Sequence, residues 1–171
     1  MSQLKLFNSC HPTPPEPKVG GSRWTLFIDG ASRKNPGIAG AGVYLLKDDM
    51  PNFQKGFYLG HKTNNQAEYL ALLLGIFHAK EHLKKVDALY IISDSELLIK
   101  QMKGEYKVKN QPLKELFDIA HLLLKDVSYT LCHVRREKNI EADELANVGI
   151  DKKGKVPESF IALLKSHGLS L

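Results

Sequence analysis

Residues 25–46 read TLFIDGASRKNPGIAGAGVYLL, and this stretch decides the fold class. It opens as a buried strand, with three large apolar residues in succession, and the apolar run ends on Asp29. An Asn-Pro-Gly turn sequence follows, and two glycines then lead into a second apolar run. The stretch therefore predicts two antiparallel strands joined by a loop, with a carboxylate at the end of the first strand.

The size and charge of the chain limit what it can be. It has 171 residues, of which 43% are hydrophobic and 25% are charged, so we expect one domain with tails. The net charge of +5 suits a polyanionic partner. No run approaches the roughly 18 apolar residues that span a bilayer, and the N-terminus lacks the features of a signal peptide. We therefore expect a cytoplasmic monomer with no membrane contact.

Composition divides the chain into three parts. Residues 8–22 are rich in Pro, Gly and Ser and have no hydrophobic period, which is typical of a linker. We predict a disordered tail and linker over 1–22, a folded domain over 23–151, and a C-terminal extension with a short helix over 152–171.

The hydrophobic pattern predicts an α/β fold. Closely spaced apolar runs at 24–29, 40–47 and 53–59 predict an antiparallel meander. A long, largely apolar helix is expected from Asn64, which can cap it, and a buried parallel strand is expected at 88–94. Further patterns predict a short helix closed by Gly104, a helix at 112–125, a strand at 127–134, and helices at 139–151 and 157–168. The result is a five-stranded mixed sheet, with three antiparallel strands followed by parallel strands, flanked by helices.

Four carboxylates stand where these elements meet. Asp29 and Asp94 each end a strand, Glu68 lies near the start of the long helix, and Asp143 lies in NIEADELAN. Each has a simpler explanation on its own, because acids favour helix starts and Asp94 could cap the helix that follows it. Together they predict one acidic site, since sites form at the carboxyl ends of strands in open α/β sheets.

Clustered carboxylates predict a divalent metal site. Like charges held together repel one another unless a proton or a cation is bound. Mg²⁺ prefers oxygen ligands, and two such ions can activate a water and stabilise the leaving oxygen in a displacement at phosphorus.

Four segments of the chain resemble type 1 ribonuclease H, and the resemblance covers residues 24 to about 150. The segments are DGASRKNPGIAGAG, TNNQAEYLALLLG, ISDSELLIKQMKGEYKVKN and VRREKNIEADELAN. They are most similar to the compact branch common in archaea and many bacteria. The resemblance implies a ribonuclease H-like fold, with 23–151 as the catalytic domain. It also implies an endonuclease that cleaves the RNA strand of RNA/DNA hybrids, leaving 5′-phosphate and 3′-hydroxyl ends, in primer and R-loop removal.

The same resemblance assigns roles to individual residues. It implies two Mg²⁺ ions, with Mn²⁺ as a substitute, held by the four catalytic acids Asp29, Glu68, Asp94 and Asp143. It implies nucleic-acid contacts at Gly30, Ser32, Asn35, Thr63, Asn64, Asn65, Gln66, Lys107 and Lys109. The glycines of the first loop, Gly40 and Gly42 included, would let the backbone approach the minor groove of the hybrid.

Some positions keep two explanations. Asn64 can serve as a helix cap, and the lysines at 100, 103, 107 and 109 around Tyr106 can form a solvated surface as well as follow a DNA backbone. His133 resembles a loop histidine of longer-looped members. Because it directly follows Leu131 and Cys132, we predict that it lies in the strand and that Arg135, Arg136 or Glu137 lines the loop.

Two other functions also fit the sequence. One is a non-catalytic module that binds hybrids on the same fold, and the intact set of four acids argues against it. The other is a nuclease of broader specificity that acts on duplex RNA or DNA junctions.

The extreme N-terminus carries a separate motif. Residues 3–7, QLKLF, resemble the QLxLF motif with which bacterial replication and repair proteins bind the sliding clamp. The resemblance implies clamp contacts by Gln3, Leu4, Leu6 and Phe7. The alternative is a few apolar residues at a chain end, because a five-residue match occurs by chance.

A peptide of residues 1–12 and the full-length chain should both bind a bacterial sliding clamp, because Leu6 and Phe7 offer apolar anchors for a pocket. Titration of the clamp with each, and with a Leu6→Ala, Phe7→Ala version of each, measures this. Equally poor binding by wild type and double variant would show that the tail has no role in clamp recruitment.

Overall fold

The computed structural model describes residues 13–171, so the motif at 3–7 lies outside the described residues. The strands and helices agree with the sequence prediction in kind and order. They are β1 (Arg23–Ser32), β2 (Gly37–Lys47), β3 (Met50–Lys62), α1 (Asn64–Lys80), β4 (Ala88–Ser93), α2 (Glu96–Met102), α3 (Gln111–Leu124), β5 (Tyr129–His133), α4 (Ile140–Asp151) and α5 (Glu158–Ser166).

The sheet is mixed, as predicted, with strand order β3-β2-β1-β4-β5. Strands β1, β2 and β3 pair antiparallel, whereas β4 pairs parallel to β1 and β5 pairs parallel to β4. Ile28 is the register partner of Ser93. Asp94 follows the last residue of β4, whereas Asp29 lies within β1, which continues to Ser32 in its pairing with β2. The prediction that Asp29 ends its strand is therefore wrong, and Asp29 and Asp94 lie side by side where the pairing of β1 with β4 stops.

Helices cover both faces of the sheet. The long helix α1 packs on β1 and β2 and is buried along most of its length. Gly75 lets it approach closely, because a Cβ there would stand 2.9 Å from side-chain atoms of both Leu26 and Ile28. Helix α3 packs on the outer side of α1, and α5 reaches the same core through Phe160, which packs edge-on against Phe77. Helix α4 covers the opposite face of β1, β2 and β3.

The glycines of β2 serve this helix packing, which corrects the sequence interpretation. A Cβ on Gly42 would stand 2.0 Å from the carbonyl oxygen of Ala142, and one on Gly40 would stand 2.4 Å from that of Ala146. The space beside both glycines is therefore occupied by α4. They bring a helix close to the sheet, and they do not open the backbone to a substrate.

The start of α1 also differs from the prediction. Thr63 is the N-cap, not Asn64: its side chain accepts a hydrogen bond from the backbone N–H of Gln66, and the Gln66 side chain accepts one from the N–H of Thr63. This is a capping box, which satisfies two helix-end donors at once. Asn64 is thereby left for other contacts.

The predicted division at 22/23 and 151/152 stays a prediction, although both flanking segments contact the domain. Residues 13–22 form no helix or strand, but Lys18 donates a backbone hydrogen bond to Val86, and Ser22 donates one to the Asp87 carboxylate. In the C-terminal segment, Phe160 and Leu164 are buried. The helices in the described part of the chain lack the combined length and apolar character needed to cross a membrane.

Replacing Gly42 with Ala should destabilise the fold by about 1–3 kcal/mol, because the added methyl group would force α4 away from the sheet. Val148→Ala on the exposed side of α4 is the matched control and should change stability by less than about 0.5 kcal/mol. Chemical denaturation of both variants measures the difference. Equal stabilities would show that α4 tolerates a looser fit.

Candidate active site

Three of the four predicted acids meet at one edge of the sheet. Carboxylate oxygens of Asp29, Glu68 and Asp94 lie within 4.8 Å of one another, although the three residues belong to β1, to α1 and to the turn after β4. Asp29 is only 5% exposed. A set of donors made entirely of carboxylate oxygens suits a hard divalent cation such as Mg²⁺ or Mn²⁺.

Close packing at Gly30 brings Glu68 to Asp29. A Cβ on Gly30 would stand 2.2 Å from the backbone of Ala67 and Glu68, so only glycine lets the first turn of α1 lie this near β1. The backbone N–H of Gly30 donates a hydrogen bond to Glu68 Oε2 at 3.2 Å. This contact orients the carboxylate towards the other two acids. Gly30 therefore acts in the site through Glu68.

Asp143 lies at the rim of the same site. It belongs to the first turn of α4 and lines a cavity of about 430 Å³ together with the three clustered acids. Its Oδ1 accepts a hydrogen bond from Arg136 Nη2 at 3.1 Å. The fold thus brings three predicted acids into contact and holds the fourth beside them, paired with an arginine.

Burial and, second to it, the neighbouring charges raise the pKa values of two of the acids. Burial, reinforced by the charges of Asp94 and Asp143, raises the pKa of Asp29 to about 8, and the Arg136 charge opposes this only in part. Burial is also the main cause that raises the pKa of Glu68 well above its usual range, and the Asp29 charge adds to it. Without a cation, the cluster therefore keeps protons that ordinary carboxyls have lost at neutral pH.

Asn139 is a site residue that sequence reasoning missed. It is fully buried, and its Nδ2 donates a 2.8 Å hydrogen bond to the carbonyl oxygen of Ile28, the residue before Asp29. Its backbone carbonyl accepts a hydrogen bond from the N–H of Asp143 at 3.1 Å. One residue thus fixes the start of α4 against β1. The sequence signal was an Asn before a helix, which predicts a cap, yet its side chain makes no capping hydrogen bond.

A polar network joins the β1–β2 loop to the start of α1. The Ser32 N–H donates to Asn64 Oδ1 at 3.2 Å, and the Asn64 N–H donates to Asn35 Oδ1 at 3.1 Å. Of the predicted nucleic-acid contacts, four line the cavity: Gly30, Ser32, Asn64 and Asn65. Asn35 is exposed and is held next to them through Asn64.

Gln66 and Thr63 are placed differently. The Gln66 side-chain oxygen belongs to the capping box, and its side chain lines a separate groove with Lys62, Leu70 and Leu116. Gln66 therefore faces a different side of α1 from Glu68, and its predicted contact with the nucleic acid stays a prediction. Thr63 accepts the cap hydrogen bond, which leaves its hydroxyl proton available to a ligand.

The strand placement of His133 is confirmed, since it is the last residue of β5. Its Nε2 lies 3.3 Å from the backbone oxygen of Asp94. Among the three loop residues named as alternatives, Arg136 lines the cavity in the described part of the chain.

The basic segment lies to the side of the cavity. Lys100 Nζ is 2.7 Å from Glu96 Oε1, donates to the Tyr106 hydroxyl at 3.3 Å, and lies 5.0 Å from the centre of the Tyr106 ring. Lys107 and Lys109 are exposed in the loop that follows.

Comparison with known proteins agrees with this geometry. Residues 27–149 match a family model described as reverse transcriptase-like. A ribonuclease HI of Halobacterium salinarum is 35% identical over 77% of this chain, and the chain spans 66% of that relative's length. The crystal structure of RNase H1 from the same archaeon superposes with a TM-score of 0.72, covering 76% of this chain and 98% of that one. LC11-RNase H1, solved in complex with an RNA/DNA hybrid, is 36% identical, with a TM-score of 0.71 and coverage of 75% and 97%.

The raised pKa of Asp29 predicts how stability depends on pH. In the unfolded chain this carboxyl ionises near pH 4, whereas in the fold it keeps its proton to about pH 8. In EDTA, stability should therefore fall between these pH values, by up to about 1.4 kcal/mol per pH unit. Asp29→Asn should weaken this decline and raise the unfolding temperature at pH 8. Mg²⁺ should restore stability at pH 8 to the wild type more than to the variant.

Thermal unfolding from pH 5 to pH 8, with EDTA or with Mg²⁺, measures these effects. Asp118→Asn, which removes an exposed carboxylate of α3, is the control and should leave the pH dependence unchanged. Parallel curves for wild type and Asp29→Asn would contradict the raised pKa.

Proposed function

The chain belongs to the type 1 ribonuclease H family, and on that premise we propose that it is an endonuclease for RNA/DNA hybrids. It hydrolyses the RNA strand and leaves 5′-phosphate and 3′-hydroxyl ends, acting as a cytoplasmic monomer in primer and R-loop removal. The observation that carries the proposal is the cluster of Asp29, Glu68 and Asp94 within 4.8 Å, in a cavity lined on one side by exposed amides.

The acids hold the metal ions in this proposal. Asp29, Glu68 and Asp94 provide a shared set of oxygens, and Asp143 adds a ligand from the rim of the cavity. These residues would hold two Mg²⁺ ions, or Mn²⁺ in their place, whose chemistry would be to activate a water and to stabilise the leaving oxygen of the RNA strand. The raised pKa values of Asp29 and Glu68 support this assignment, because bound cations would displace the retained protons.

Arg136 has a double task in this mechanism. Its ion pair with Asp143 holds that carboxylate at the rim, 3.1 Å from the guanidinium nitrogen. The Arg136 side chain is 77% exposed, so its remaining N–H groups can donate to a phosphate of the RNA strand. Ligand placement and phosphate binding are then linked through one guanidinium.

Hybrid selection rests on the amide side of the cavity. Asn64 and Asn65 are exposed, and Asn64 is fixed from both sides by Ser32 and Asn35. Rigid amides of this kind can read the 2′-hydroxyls and base edges that the shallow minor groove of an A-like duplex displays. The Thr63 hydroxyl, at the N-terminus of α1, would donate to a phosphate of the DNA strand.

The Lys100–Tyr106 pair supports a binding site for the DNA strand beside the cavity. Glu96 and the Tyr106 hydroxyl fix the Lys100 ammonium, which lies over the Tyr106 ring. The ring is 48% exposed and offers a surface for stacking. Lys107 and Lys109 would then contact phosphates beyond it.

One assay tests the function and its two alternatives. Labelled hybrid, duplex RNA, duplex DNA and single strands are incubated with the full chain in Mg²⁺, Mn²⁺ or EDTA. We expect cleavage of the RNA strand of the hybrid, dependent on metal. Binding without cleavage in any metal would favour a non-catalytic module, and equally fast cleavage of duplex RNA or DNA would favour the broader nuclease.

Asp29→Asn should reduce hybrid cleavage by at least about 100-fold, because it removes an electrostatic contribution to the transition state of several kcal/mol. Hybrid binding should be largely retained, and Asp118→Asn should cleave normally. Turnover near that of wild type in Asp29→Asn would refute the assignment of the acids.

A further inference from the structure

A second basic surface lies on the far side of the sheet from the Lys100–Tyr106 pair. Residues 152–155 read KKGK and directly follow α4, and we call them the KKGK turn. Its three lysines are exposed. Within the described part of the chain, Lys155 approaches Glu158 at 3.9 Å, and no ion pair is found for Lys152 or Lys153. These charges have no role in the proposed cleavage reaction.

The backbone of the turn is held firmly. The Lys152 and Gly154 N–H groups donate to Val148 and Gly149 at 2.9 Å each, and the Tyr58 N–H of the edge strand β3 donates to the carbonyl of Gly154 at 2.7 Å. Lys153 has a φ of 48°, a left-handed conformation that costs energy for a residue with a side chain. The turn thus presents its lysines from a fixed backbone.

The turn also adjoins the catalytic cavity. Asp29, Gly42 and Gly56 are register partners across β1, β2 and β3, so Gly56 lies two strand spacings, about 10 Å, from Asp29. Gly154 packs directly against Gly56, since a Cβ on Gly154 would stand 2.0 Å from the Gly56 carbonyl oxygen. Backbone charges recur about every 1.7 Å along a nucleic-acid duplex, so a duplex that lies over the cavity presents further phosphates about 10 Å away, at the KKGK turn.

An ion pair links the turn to the loop that lines the cavity. Arg33, next to the cavity residue Ser32, pairs with Asp151 at 2.5 Å. Asp151 is the last residue of α4 and directly precedes Lys152, the first residue of the KKGK turn. This corner contains two acids, Asp151 and Glu158, and five basic residues, so its net charge is three positive units. The basic residues are Arg33, Lys34, Lys152, Lys153 and Lys155.

We propose that the KKGK turn binds the phosphate backbone of a long RNA/DNA hybrid beyond the segment seated in the cavity. This inference rests on the proposed function. A nucleic-acid duplex is the partner that fits, because the positive corner continues from the cavity in which the proposed function places the hybrid. Lys152 and Lys153 contact backbone phosphates, and the contact raises affinity without selecting sequence.

The test compares hybrid lengths. Affinity of the full chain is measured in Ca²⁺ or EDTA for a hybrid of about 20 base pairs and for a loop-closed hybrid of about 4, which is too short to extend from the cavity to the turn, at several salt concentrations. Lys152→Gln, Lys153→Gln should lower affinity for the long hybrid severalfold and reduce its salt slope by about 1.4–1.8, which is two contacts at 0.7–0.9 each. Affinity for the short hybrid and its cleavage rate in Mg²⁺ should stay at wild-type values.

Two further variants make the outcome decisive. Lys84→Gln, Lys85→Gln removes two exposed lysines at the opposite end of the sheet and should leave the long-hybrid slope unchanged. Lys153→Gly relieves the backbone strain while removing a charge, so it should stay folded and still lose about one contact.

Equal losses on both hybrid lengths, no loss on either, or the same loss in the Lys84, Lys85 control would each overturn the proposal. If wild type binds and cleaves hybrid but the turn variants behave as wild type, only this inference fails. If wild type does not bind hybrid at all, the proposed function itself fails.

Discussion

The repulsion between carboxylates where β1 stops pairing with β4 is the constraint that the rest of the structure has to meet. Asp29 and Asp94 stand side by side because the strands before them are in parallel register, and Glu68 joins them from α1. Such a cluster opposes its own formation, because burial, with the charges of Asp94 and Asp143 added to it, raises the pKa of Asp29. It persists because the elements that carry it are fixed by an apolar core that does not depend on the site.

That core fixes the acids through close packing of backbones. Gly30 lets the first turn of α1 approach β1, Gly75 lets the same helix lie on Leu26 and Ile28, and Gly42 lets α4 lie on β2. At each of these positions glycine has no side chain, and a larger residue would hold the helix and the sheet apart. The acids then sit on rigid supports, and a metal ion or a proton, not a movement of the backbone, has to relieve their repulsion.

The sequence was sufficient for the elements and for the three clustered acids, because both follow from local rules. Apolar runs ending in Asp29 and Asp94 predict strand ends, and strand ends predict a shared edge. It was insufficient where a residue has two physically valid roles. Thr63 and Asn64 can both cap a helix, and the choice depends on Gln66 closing the capping box while Asn64 bonds across to the β1–β2 loop. Gly42 fits a loop near a substrate as well as a helix contact, and only the path of α4 distinguishes the two.

The role of Asn139 could not be predicted from the sequence either, because its contact is not local. Its amide reaches Ile28, which is 111 residues away in the chain, so no local pattern contains that contact. The four acids therefore differ in what holds them in place. Three are fixed by strand register and helix packing, whereas Asp143 depends on one buried amide behind it and one exposed guanidinium in front of it. A charged partner at the exposed side can compete for Arg136, but nothing in solvent can compete for Asn139. The fourth acid is therefore the one whose surroundings a bound phosphate can change, and the other three form the fixed part of the site.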